Sequence, residues 1–341
     1  MQAVILAGGE GTRLRPLTSR VPKPVVTLVD RPFMAYMLEW LRHFGVTEAV
    51  LSCGFLASGV RDVLGDGEHY GLRLRYVEEP EPLGTAGALR HASDHLDERF
   101  LVLNGDILTD IDLAAQLAQH EQTGAQATLA LIAVEDPSAY GMVRLDDDRS
   151  VLEFLEKPDE VDATDQLVSA GAYVLERSVL DLIEPGRVVS IEREIWPALV
   201  GNGLYGHVAS GYWLDIGTPE RYLQGTFDII SGVVRTDGHG EDGAPVIGVD
   251  CEIAPSARIG PLVVLGDRVR VGEDAAIDRA VVLAGAQIGE RCVVRDSIVA
   301  ERAKIGPHTK LEDGVVVGED ANVRERQEIG SGERIEAGES R

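Results

Sequence analysis

Cysteine is scarce in this chain, and what there is stands apart. Cys53, Cys251 and Cys292 are odd in number, far from one another and outside any C-x-x-C or Cys/His cluster. That argues against a disulfide framework and against a thiolate zinc site. Long apolar runs are also missing. No stretch approaches the ~20 residues of a membrane span, and the N-terminus runs straight into a strand without a basic, cleavable leader, so the expectation is a cytoplasmic protein with no membrane partner. Positive charge is in short supply too. A formal net charge of −25 argues against nucleic acid as a partner, because that surface demands a basic footprint. Among the 32 basic residues, lysine is limited to Lys23, Lys157, Lys304 and Lys310. Two of these stand in the tripeptides PKP and EKP, where a compact charge on a thin stem reaches a phosphate without guanidinium bulk.

What is present points to about two domains in 341 residues, with a globular 44% of hydrophobic residues. Residues 1–235 alternate short apolar strands with amphipathic helices. Strands are expected at Gln2 to Ala7, Ala49 to Cys53, Leu72 to Val77, Phe100 to Leu103, Ala127 to Val134, Tyr140 to Arg144, Val151 to Leu155 and Leu167 to Leu175. Helices are expected from Pro32, Leu56, Gly84, Ser190 and Pro219. This pattern predicts an α/β domain, a mostly parallel Rossmann-like sheet with flanking helices and with ligands at the carboxyl ends of its strands.

At one such end lies LAGGEGTRLRPLTSRVPKPVV, from Leu6 to Val26. Gly8, Gly9 and Gly11 allow close backbone approach to a phosphate, and Arg13, Arg15 and Lys23 add positive charge. The spacing fits neither a Walker loop nor a dinucleotide fingerprint, since Leu14 stands where a third glycine would be. A plain glycine turn is the bland alternative. Asp106, after the strand ending in LNG, is placed to hold a divalent cation, although a lone Asp there is more often a turn residue. Asp215, in GYWLDIGT, is a carboxylate in an apolar run that needs a partner: a metal shared with Asp106, or an N–H network at the next turn.

Residues 236–247 read as a linker, within a glycine-rich, charged stretch that begins RTDGHG. From 248 to 325 aliphatics recur every six residues at Ile253, Ile259, Leu265, Val271 and Ile277, then through Ile288, Val294, Ile305, Leu311, Val317 and Val323. Period six predicts a left-handed parallel β-helix of hexapeptide repeats, with two turns shortened by one residue. Such a domain suits an oligomerisation platform, and a homo-oligomer is expected. An acyltransferase on this scaffold would need a catalytic histidine, and the repeats offer only His308, at a corner position. Residues 326–341 read as a charged tail.

Taken together, LAGGEGTRLRPLT with PKP, LNGD, EKP and YWLDIGTP, followed by hexapeptide repeats, resembles the sugar-1-phosphate nucleotidyltransferases. EPLGTAGAL, SIEREIWP and GYWLDIGTPERY look most like their mannose-1-phosphate guanylyltransferase branch. The resemblance implies attack of a sugar-1-phosphate on the α-phosphorus of a nucleoside triphosphate with Mg²⁺ as cofactor, releasing pyrophosphate. It implies catalytic roles for Arg13 and Lys23, and nucleotide contacts from Leu6, Gly8, Gly9, Gly11, Thr12, Arg13, Glu79, Gly84 and Thr85. It further implies sugar-phosphate contacts from Gly141, Glu156, Lys157, Ser169 and Gly171, and metal ligation by Asp106 and Asp215. Glu79 aligns where relatives using other bases carry glutamine; a carboxylate accepts both donors of guanine's N1–H and N2–H edge, which favours GTP. Ser169 stands where the guanylyl branch usually has asparagine. That leaves mannose, glucose, a heptose or a cyclitol open as the sugar. A catalytically silent subunit would be expected to lose a motif charge, and none is lost.

Overall fold

The computed structural model describes residues 1–54, 56–158, 166–238 and 242–341. Two compact units emerge, and they do not follow chain order: Met1–Gly9 joins Met37–Trp213, while Glu10–Tyr36 joins Leu214–Arg341. Part of the glycine-rich motif thus groups with the C-terminal repeats. The expected linker, 236–247, falls in part on residues 239–241, outside the described residues.

The first unit is built on one sheet with nine strands among the described residues. Gln2–Ala7 runs at its centre, parallel to Glu48–Cys53 on one side and to Arg99–Asn104 on the other. Covered on both faces, these strands are apolar almost without interruption, as buried parallel strands must be. The long strand Leu167–Glu176 runs antiparallel to Arg99–Asn104 and to Ala127–Ala133, and its register shifts between Ser169 and Tyr173. Gly171, at φ +71, sits in that shift. Tyr173 and Trp196 are fully buried beneath the sheet, edge to face at 5.1 Å between ring centroids.

Two local features differ from expectation. A helix, Leu113–Thr123, was not anticipated; Asp112 caps it by accepting from the N–H groups of Ala114 at 2.9 Å and Ala115 at 3.1 Å. The expected helix from Ser190 starts as a π turn, Ile191–Ile195, before the α turn Trp196–Leu199. Ser190 Oγ accepts from Arg193 N–H, and Glu194 rather than residue 193 reaches back to Ser190 N–H. The wider turn moves the carboxylate partner of the capping box by one residue.

In the second unit, the helix Pro219–Ile230 precedes three parallel sheets with six, five and five strands among the described residues, the architecture of the left-handed parallel β-helix. Stacked partners stand 18 residues apart at Val246↔Val264 and Ile298↔Val316, and 17 apart at Val264↔Val281 and Val281↔Ile298. The two shortened turns account for the two irregular steps of the repeat. Residues 326–341, which the sequence suggested as a charged tail, instead carry two more strands, Glu328–Ile329 and Arg334–Ile335. Ile329 and Ile335 point into the same core as Val317 and Val323. Charge fills only the outward positions there, and the period of six continues beneath it. His308 lies at a left-handed corner, φ +60, with Nε2 3.5 Å from a Glu290 carboxylate oxygen.

Candidate active site

The glycine loop is held by different constraints at each glycine. In the first unit, a Cβ on Gly8 would lie 2.9 Å from Glu79 Oε1, so packing alone demands glycine there. Gly9 is different. It is exposed, has no left-handed backbone, and a Cβ on it would meet nothing within 4 Å. Neither packing nor a left-handed backbone requires glycine at this position. The carbonyl of Leu6, one turn back, accepts from Gly105 N–H at 2.9 Å.

In the second unit, Gly11 adopts φ +62 and lets the stem of Lys23 pass, a Cβ there falling 3.2 Å from Lys23 Cβ. Thr18 Oγ1 fixes the Gly11 carbonyl at 2.8 Å. Thr12 opens the 3-10 turn Thr12–Leu14, with its side chain exposed. Arg13 follows, its side chain 68% exposed and its guanidinium 3.9 Å from the Asp215 carboxylate. Gly217 makes room for that guanidinium, since a Cβ there would lie 2.8 Å from Arg13 Nη2. Lys23 has its stem buried beside Leu14, Val26, Phe33 and Tyr222.

The base-loop candidates are tied into the first unit. Glu79 accepts from Ser52 Oγ at 3.0 Å and from Leu83 N–H at 3.1 Å. A carboxylate has about four acceptor sites, so two remain for a ligand. Gly84, at φ +73, is forced by the Val189 carbonyl 2.6 Å from where a Cβ would sit. Thr85 Oγ1 accepts from Ile191 N–H at 2.8 Å and donates to Glu192 at 2.7 Å. Its one proton is therefore spent inside the protein.

Gly141, Glu156, Lys157, Ser169 and Gly171 gather in the first unit as well. Gly141 pairs with Glu156 across the strands, and a Cβ on it would press on Phe154 and on Glu156 Oε2. Lys157 holds an unusual left-handed φ of +49, steadied by its N–H to the Tyr140 carbonyl at 3.1 Å. Strain of this kind on a non-glycine residue marks a position the surroundings over-determine. Burial pushes the Glu156 carboxyl above its ordinary range, and the charge of Glu192 adds to this, against Lys157 and Arg193. Gly171 yields space to Asn104, while Ser169 Oγ lies 3.2 Å from Tyr173 OH. Trp213 Nε1 donates to the Ala170 carbonyl at 2.8 Å, and Tyr140 stands edge-on to its ring. Asn104, Tyr140, Glu192 and Trp213 were not singled out from sequence, although LNGD and YWLD contain two of them.

A family profile described as Nucleotidyl transferase matches residues 2–231. The chain belongs to the nucleotidyl transferase family. A second profile, described as GMPPB C-terminal domain, matches residues 242–332. The chain is 37% identical over 299 residues to a mannose-1-phosphate guanylyltransferase of Mycobacterium tuberculosis, covering 86% of this chain and 83% of that one. It is 37% identical over 315 residues to a mannose-1-phosphate guanyltransferase of Candida albicans, covering 88% and 86%. Among solved structures, HddC from Yersinia pseudotuberculosis complexed with GMP-PN is similar with a TM-score of 0.57 and 29% identity, over 66% of this chain and 97% of that chain. This chain is thus a nucleotidyltransferase similar to mannose-1-phosphate guanylyltransferases.

For such an enzyme a divalent cation has to find oxygen donors. Asp106 follows the carboxyl end of Arg99–Asn104 in the first unit, and Asp215 ends the strand Trp213–Asp215 in the second. Among the described residues no group of three or more His, Cys, Asp or Glu side chains forms a closed metal cage. One or two carboxylates completed by substrate phosphates is a donor set that suits Mg²⁺, and each of these aspartates offers one carboxylate. No helix among the described residues is long and apolar enough to cross a membrane.

Proposed function

We propose that this nucleotidyltransferase joins the guanylyl group of GTP to mannose-1-phosphate, giving GDP-mannose and pyrophosphate. The observation that carries the base is Glu79: its carboxylate lies against Gly8 of the phosphate loop and keeps two acceptor sites free for two adjacent N–H donors. The names of the relatives support both base and sugar.

In this reading, backbone N–H groups around Gly8, Gly9, Gly11 and Thr12 face the triphosphate, and Leu6, Gly84 and Thr85 shape the nucleotide cleft. The exposed Arg13 guanidinium balances the charge that builds on the departing pyrophosphate. Lys23, with its stem held in apolar surroundings, presents its ammonium to the α-phosphate and the attacking oxygen. Lys157 and Glu156 bind the sugar phosphate and a hydroxyl, with Gly141, Ser169 and Gly171 lining the pocket. Asp106 and Asp215 would hold Mg²⁺, which neutralises phosphate charge when bound. The β-helix would serve as the surface for a homo-oligomer, with light scattering of the purified chain as its test.

A pyrophosphate-release screen of five nucleoside triphosphates against several sugar-1-phosphates tests the reading. GTP with mannose-1-phosphate should be turned over fastest, and silence from every pair would end it. Asp106→Asn and Asp215→Asn should each abolish turnover without loss of folding. For Glu79→Gln the informative quantity is the GTP to UTP ratio, because the residue also accepts from Ser52 and Leu83. The short Ser169, facing Tyr173 rather than reaching outward, keeps glucose-, heptose- and cyclitol-phosphates in that screen.

A further inference from the structure

The final coil of the β-helix touches the phosphate motif directly. One nitrogen of Arg334, Nη1, donates to two backbone carbonyls, those of Arg13 and Arg15, each at 3.0 Å. Both partners belong to the second unit. The other carbonyls of this turn are taken from within: Gly11 accepts from Leu14 N–H, Thr12 from Arg15 N–H and Leu14 from Leu17 N–H. Arg334 therefore completes the set that fixes the turn on either side of the Arg13 side chain. Its own backbone is anchored, since Arg334 pairs with Val316 and the next residue, Ile335, is fully buried in the β-helix core. A second tether lies nearby in sequence. Arg20 Nη1 donates to Asp320 Oδ2 at 3.0 Å, and Asp320 is held in turn by Arg302.

We propose that Arg334 is a positioning residue for nucleotidyl transfer: by capping the Arg13 and Arg15 carbonyls, the last β-helix coil sets the conformation from which Arg13 meets the triphosphate. The inference rests on the functional reading above, but the contact it invokes is made without any ligand. Arg334 touches no reacting atom. It acts through the backbone of a residue that does, so its loss should weaken nucleotide use and leave the sugar side alone.

The test uses the full chain with Arg334→Ala and Arg334→Lys, beside Arg326→Ala as a control on an exposed arginine whose side chain pairs with its neighbour Glu325. Amide hydrogen exchange of the ligand-free proteins is read over residues 10–20, and KM for each substrate is measured in the pyrophosphate assay. Arg334→Ala should speed exchange in the turn about tenfold and raise KM for the nucleotide about tenfold, the fold-change expected for a lost charged hydrogen bond. KM for the sugar phosphate and the melting temperature should match those of Arg326→Ala. Lysine, with three donors on one nitrogen, should restore most of both effects. Unchanged exchange in Arg334→Ala would overturn the proposal, as would equal rises in both KM values or a lysine variant no better than alanine. If the parent chain turned over no substrate pair, the functional reading would fall while exchange still decided the tether.

Discussion

At the scale of single residues, the glycines divide by what enforces them, and the division predicts how each fails. Gly171 combines φ +71 with an Asn104 amide 2.7 Å from where a Cβ would sit, so Gly171→Ala should lower the melting temperature. Gly9 has neither constraint. Gly9→Ala should melt like the parent chain yet raise the nucleotide KM about tenfold or more, the cost of a misplaced phosphate contact; a destabilised variant with unchanged KM would return this glycine to an ordinary turn. Gly217→Ala falls between them, because the nearest atom is the tip of a flexible arginine. That variant should fold, displace Arg13 and lower kcat, read by steady-state kinetics beside thermal melts. Candidates that are neighbours in sequence, such as Gly8 to Arg13 or Glu156 and Lys157, stand out as motifs in the sequence itself. The bond from Thr85 to Glu192 and the contact of Arg334 with Arg13 do not, because the partners stand roughly a hundred to three hundred positions apart.

At the scale of elements, the helix Leu113–Thr123 shows why a correct period can stay hidden. Its buried positions are Leu113, Gln116 and His120, the right spacing for one face, but two of the three are polar. Gln116 Nε2 donates to the carbonyls of Thr128 at 2.9 Å and Ala172 at 3.1 Å, and His120 bonds Thr128 Oγ1 and Glu176. Such a face is invisible to hydropathy and clear only once the sheet is there to receive it. It also makes stability depend on pH. Burial holds the His120 imidazole below its ordinary value of 6.5, against the pull of Glu176. The unfolded chain thus takes up that proton at higher pH than the folded one, so the contribution is complete above 6.5 and is lost as pH falls toward the folded value. Glu176 works in the same direction further down: burial raises its carboxyl, but hydrogen bonds from Arg99 and His120 outweigh that and hold it below 4.5. Melting temperatures should fall on acidification from about pH 7 to about pH 5, and His120→Gln should flatten that slope. An unchanged slope would assign the acid lability elsewhere.

At the scale of the whole molecule, the sheet domain and the repeat domain were both visible in the sequence, whereas their grouping into compact units was not. Periodicity reports which residues face a core; it carries no information on which loop a core adopts. Charge at the outward corners hid the last coil, yet Ile329 and Ile335 are buried there. Removing residues 326–341 should uncover Val317 and Val323 and cost about 1.5–3 kcal/mol for each of the two lost isoleucines. Denaturant unfolding of the truncated chain would measure it, and a stability equal to that of the full chain would mean this coil is dispensable. The same grouping bears on recombination between relatives. A chimaera joined at residue 235 would inherit the stretch 10–36 from one parent and the coil that holds Arg13 and Arg15 from another. If Arg334 positions Arg13 as proposed, parents whose repeats differ at the position of Arg334 would then yield hybrids that fold but handle nucleotide poorly, and the crossover units to keep together would be interleaved rather than consecutive.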